Sequence, residues 1–86
     1  MKLYGKIVKG TNLVKEAMVE RYNDTITFRD LLEECFIELC RELDVPVPLW
    51  LKKNTNEFVA YRRTFFTEEQ FVDKVGFNRL EIRLEA

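Results

Sequence analysis

The chain has 86 residues, 47% hydrophobic and 34% charged, which suits one soluble domain with a single core and excludes a disordered or fibrous protein. Its net charge of −1 excludes a wholly basic nucleic-acid binder and gives no membrane-surface signal. No apolar run approaches the ~20 residues of a bilayer span, and MKLYGKIVKG lacks a signal-peptide apolar core, so one cytoplasmic domain over residues 1–86 is expected, with no membrane partner.

Lys2 to Lys9 alternate imperfectly, with Leu3 and Ile7 on one face and Tyr4 and Val8 on the other. Gly10-Thr11-Asn12 supplies a turn, and residues 13–22 complete a β-hairpin. This second arm also suits a short helix capped by Asn12, with Leu13, Val14, Ala17 and Met18 inward. Asn23-Asp24 turns the chain into its central element.

That element is Thr27 to Leu43. Phe28, Leu31, Leu32, Cys35, Phe36, Leu39, Cys40 and Leu43 fall on one helical face over roughly four turns. Thr27 with Asp30 resembles a capping box, and Pro46 and Pro48 forbid continuation. Asn54 with Glu57 predicts a short helix through Phe58, Val59 and Tyr61. Residues 62–66 look extended. Thr67-Glu68-Glu69-Gln70 predicts a two-turn helix with Phe71, Val72 and Val75 inward, stopped by Gly76 at C′. In the tail, Leu80, Ile82 and Leu84 alternate with Arg79, Glu81, Arg83 and Glu85, the pattern of a half-buried antiparallel strand. The expected fold is α+β: a small antiparallel sheet of hairpin plus C-terminal strand, packed on one amphipathic helix, with one or two short extra helices.

The residues that carry catalysis are scarce. There is no histidine and no serine, which removes Ser-His and Cys-His nucleophile pairs and the imidazole metal ligand. Gly5, Gly10 and Gly76 are scattered, so no phosphate-cradling loop exists. Glu33, Glu34, Glu38 and Glu42 form the outward face of the helix. Cys35 and Cys40 lie about 7.5 Å apart along it and point ~140° apart, which precludes a disulfide within an intact helix. They read as small buried hydrophobes, and their spacing matches no usual zinc pattern. The expectation is a non-enzymatic protein without metal, cofactor or small-molecule ligand.

Two features stand above this background. From Thr27 to Leu43 five acids face two bases, while from Val47 to Phe66 four bases face one acid. The basic stretch is interleaved with aromatics, and Trp50, Lys52, Lys53, Tyr61, Arg62 and Arg63 are the candidate binding surface, with single-stranded nucleic acid as its ligand. The bland reading buries the rings as core and leaves the cations in water or paired with the helix glutamates. The second feature is Ile37, opposite the apolar stripe among Glu33, Glu34 and Arg41. It is the candidate for self-association, as a homodimer, or for contact with a protein partner.

The opening MKLYGKIVKG, the late Cys-Arg-Glu-Leu-Asp of the helix, the PLWLKKN segment and the closing FNRLEIRLE together resemble a small uncharacterised protein family of anaerobic Gram-positive bacteria. The likeness spans nearly the whole chain. It implies a cytoplasmic bacterial accessory protein and carries over no activity, cofactor or catalytic residue. The leading expectation is an interaction module that binds itself or a protein partner. The alternative is a weak nucleic-acid binder acting through residues 50–66.

Overall fold

The computed structural model describes residues 1–85. Its elements in chain order are β1 (Lys2–Lys9), β2 (Asn12–Glu20), α1 (Phe28–Glu42), α2 (Lys52–Tyr61), β3 (Arg63–Thr67), a 3₁₀ turn (Glu68–Gln70) and β4 (Arg79–Glu85). The four strands form one antiparallel sheet in the order β2-β1-β4-β3, and the fold is α+β as expected.

The hairpin closes with Lys9 opposite Asn12, so Asn12 opens β2 and only Gly10 and Thr11 turn. Gly10 sits at φ 63, a left-handed position that favours glycine. The second arm is a strand. The helical alternative would bury Leu13, Val14 and Met18, and all three are at least half exposed. Instead Val19 and Ala17 turn inward opposite Leu3 and Gly5. A bulge opposite Ile7 and Val8 leaves Val14 of β2 as the unpaired extra residue, while β1 keeps its alternation against β4: Leu3 and Ile7 face the core and Tyr4 and Val8 the other side, as expected, although Val8 is buried there too.

Thr27 Oγ1 accepts the Asp30 N–H at 3.2 Å and starts α1. At its end Asp44 adopts φ 57, its N–H donates to Arg41 O, and the Val45 N–H donates to Cys40 O. This paired closure is a Schellman motif, and it stops the helix before Pro46 is reached. α1 lays Cys35, Phe36, Leu39, Cys40 and Leu43 against Leu3, Ile7, Val19, Phe66, Leu80 and Ile82 of the sheet. The stripe expected from the sequence fades at its N-terminal end: Leu31 and Leu32 are half-buried and Phe28 is 58% exposed. The first turn of α1 runs beyond the cover the sheet provides. Leu39 meets β1 at Gly5, where a Cβ would stand 2.7 Å from Leu39 Cδ2. Met1 and Arg21 exchange backbone hydrogen bonds at the open end of the hairpin, and Arg21 reaches Glu34 and Glu38 of α1 at 3.7 and 3.6 Å. Two of the helix glutamates expected to be merely solvated therefore tie α1 to the end of β2.

The second half of the chain is held by a buried polar hub. Asn54 is fully buried and satisfies both ends of its amide. Its Oδ1 accepts from Leu51 N–H and Gln70 Nε2, and its Nδ2 donates to Thr64 Oγ1 and Phe65 O. Gln70 Nε2 also donates to Leu49 O, and Thr64 donates to Glu57. Asn54 was expected to cap α2; the helix begins earlier, with Leu51 at the N-cap, and Asn54 at the third position accepts the Leu51 N–H. The two-turn helix expected after Thr67 is a single 3₁₀ turn, because Gln70 is drawn inward to the hub and Phe71 turns extended to pack against Phe77. Val72 is consequently 85% exposed, and Gly76 does not take the left-handed backbone expected of a C′ residue.

Candidate interaction surfaces

The fold presents two hollows on different sides of the sheet. The first lies between α1 and α2 on the helical side, with a volume of about 550 Å³. Phe36 and Phe58 form its floor, and Trp50 sits between them, half-buried, with ring centroids 5.5 and 5.8 Å away and its indole N–H donating to Thr55 Oγ1 at 2.8 Å. Its walls are less covered: Val59 is 80% exposed, Phe28 58%, Val47 48% and Ile37 39%. Ile37 is thus no isolated apolar residue but one wall of a continuous greasy groove. Arg29 and Glu33, one turn apart on α1, mark the polar rim.

The second hollow, of about 460 Å³, lies on the outer face of the sheet, where β1, β4 and β3 meet the flank of α2. Tyr4, Phe65 and Tyr61 supply rings, and the cations Lys6, Arg63, Arg79 and Arg83 face the carboxylates Glu57 and Glu81. The Arg83 guanidinium lies 4.4 Å from the Tyr4 ring centroid, and Lys53 Nζ lies 5.0 Å from that of Phe65. The Tyr4 hydroxyl donates to Glu16 at 2.5 Å, a bond that, with partial burial, raises its pKa above the usual tyrosine value.

The six residues singled out in the basic stretch separate accordingly. Tyr61 and Arg63 share the sheet-face hollow, with Lys53 beside it over Phe65. Trp50 belongs to the helical groove, on the other side of the molecule. Lys52 is exposed at the start of α2, and Arg62 is exposed at its end with φ 58. Sequence reasoning passed over Tyr4, Lys6 and Arg83; the signal was available in the outward half of the β1 and β4 alternations.

Both cysteines are buried, free and unpaired. Burial pushes the Cys35 thiol up and the Cys40 thiol to about 12, so neither is poised as a nucleophile. Among the described residues no three metal-ligating side chains converge, and no helix is long and apolar enough to cross a membrane. Comparison with protein-family models, curated proteins and solved structures finds no match.

Proposed function

We propose that this protein is a non-enzymatic interaction module that pairs with a second copy of itself through the groove between α1 and α2. The observation that carries this reading is the contiguity of Phe28, Ile37, Val47 and Val59, each more than a third exposed, around the half-buried Trp50. Continuous apolar surface of this kind on a small domain costs solubility unless something covers it. The same patch holds both a hollow and, in Phe28 and Val59, projections able to fill one. A two-fold contact requires that combination. The rim agrees: α1 helices crossing antiparallel would bring Arg29 of one copy to Glu33 of the other, twice over. Two buried free thiols suit a reducing compartment, which favours a cytoplasmic setting.

Sedimentation or light scattering over about a hundredfold range of concentration tests the reading, since a dimer dissociates by mass action. The expected result is a mass rising from 10.3 kDa towards twice that value. Val59→Glu and Ile37→Glu, both exposed and therefore tolerated by the fold, should hold the chain at the lower mass. A wild-type chain that stays at the lower mass at every concentration would refute self-pairing.

A further inference from the structure

The outer face of the sheet carries the second hollow, separate from the groove. Arg63 and Arg83 are register partners on neighbouring strands, so two like charges stand directly opposite each other. Such pairs destabilise a sheet. Arg83 leans on Glu85 at 2.8 Å, whereas Arg63 has no carboxylate partner among the described residues. The carboxylates of the hollow are already engaged: Glu81 contacts Lys6 and Arg79, and Glu57 accepts the Thr64 hydroxyl. An anion seated between Arg63 and Arg83 would relieve their repulsion.

The rings identify what accompanies that anion. Tyr61 is 69% exposed and Phe65 40%; the Tyr4 ring has Arg83 beside it, and the Phe65 ring has Lys53 and Arg79. Flat apolar surfaces alternating with cations match a ligand whose aromatic bases alternate with phosphates. Tyr4 and Phe65 lie two strands and two register positions apart, roughly 12 Å by strand spacing and rise. No single base spans that distance, so a ligand engaging both rings would place a separate base on each. We propose that the outer face of β1, β4 and β3 binds single-stranded nucleic acid, with bases stacked on Tyr4, Tyr61 and Phe65 and phosphates held by Arg63, Arg83 and Lys53.

Trp50 lies outside this face, so its fluorescence does not report binding; the anisotropy of fluorescein-labelled oligouridine and oligothymidine of about eight nucleotides does. Saturable binding of either strand is expected, weakening with salt at a log–log slope of about −2 for three phosphate contacts. Arg63→Gln and Tyr61→Ala change exposed side chains and keep the fold, checked by circular dichroism, and each should weaken binding about fivefold or more. The absence of binding at low salt would overturn the proposal. So would binding that both variants leave unchanged, or full displacement of the strand by uridine monophosphate at equal nucleotide concentration.

Discussion

Adding one methyl group at Gly5 should reveal how closely α1 is seated on the sheet. Gly5 is buried in the middle of β1, and a Cβ there would lie 2.7, 3.1 and 3.3 Å from three carbons of the same side chain, Leu39. Ordinary carbon contacts lie near 3.5–4.0 Å, so Leu39 would have to retreat by about 1 Å. It is fully buried and has nowhere to go. Overpacking of this kind costs about 1–3 kcal/mol, offset by about 0.4–1 kcal/mol from the stiffer unfolded chain. Gly5→Ala should therefore destabilise by about 0.5–2 kcal/mol, or several degrees in Tm. Leu39→Ala alone should cost about 2–5 kcal/mol. In that background the new methyl group enters a cavity instead of a side chain, and Gly5→Ala should become neutral or stabilising, a coupling of at least ~0.5 kcal/mol. Urea unfolding of the four proteins, followed by Trp50 fluorescence and far-ultraviolet circular dichroism, measures the cycle. Additive costs within about 0.3 kcal/mol would mean that Leu39 does not rest on Gly5, and the packing described above would be wrong.

Asn54→Leu should remove the hub and strand the buried amide of Gln70 and the carbonyl of Phe65, at a cost of about 3–5 kcal/mol readable by the same melts. Asp44→Gly should stabilise by roughly 0.5–1 kcal/mol, because the left-handed backbone that closes α1 suits glycine better; an unchanged or lowered Tm would argue against that strain. Neither thiol should react with a disulfide reagent at neutral pH until denaturant is added, after which both should titrate. Stability should fall as pH climbs from about 9 towards 12. The folded state holds the Cys40 proton up to about 12, whereas the unfolded chain releases it near 9.0, so the unfolded state gains on deprotonation; the raised pKa of Tyr4 acts in the same direction above 10.0. A flat unfolding free energy across that window would contradict the burial of Cys40.

Periodicity was enough to read α1 and β4 from the sequence, because each has one face packed and one face wet: Leu39 and Ile82 are inside, Arg41 and Arg83 outside. It failed where tertiary bonds outrank local pattern. The sequence Thr67 to Gln70 is a sound helix start, yet Gln70 is pulled inward by Asn54 and Leu49, partners 16 and 21 residues away that no local window includes. Asn54 was misplaced for the same reason, as a buried amide satisfied from four directions looks in sequence like an ordinary cap. The candidate surfaces were half legible. Ile37 could be identified, but its neighbours Val47 and Val59 come from other segments. Trp50 and Tyr61 are near in sequence and face different solvent because Trp50, just before α2, packs on Phe36, whereas Tyr61, at the end of α2, lines the outer hollow. Tyr4 and Arg83 meet only because the first and last strands pair.

The hub also governs how the sheet ends. At one margin the side chain of Asn54 occupies the carbonyl of Phe65, leaving β3 little to offer a newcomer. At the other margin, among the described residues, no further strand lies beyond β2, and a foreign strand can pair there. Lys15 stands at that margin. Its register partner is Ile7, so it occupies the core-side face of β2, yet it remains exposed at the periphery. Any strand docking there would have to bury an ammonium group, a gatekeeper that keeps a nine-residue open margin from seeding fibrils.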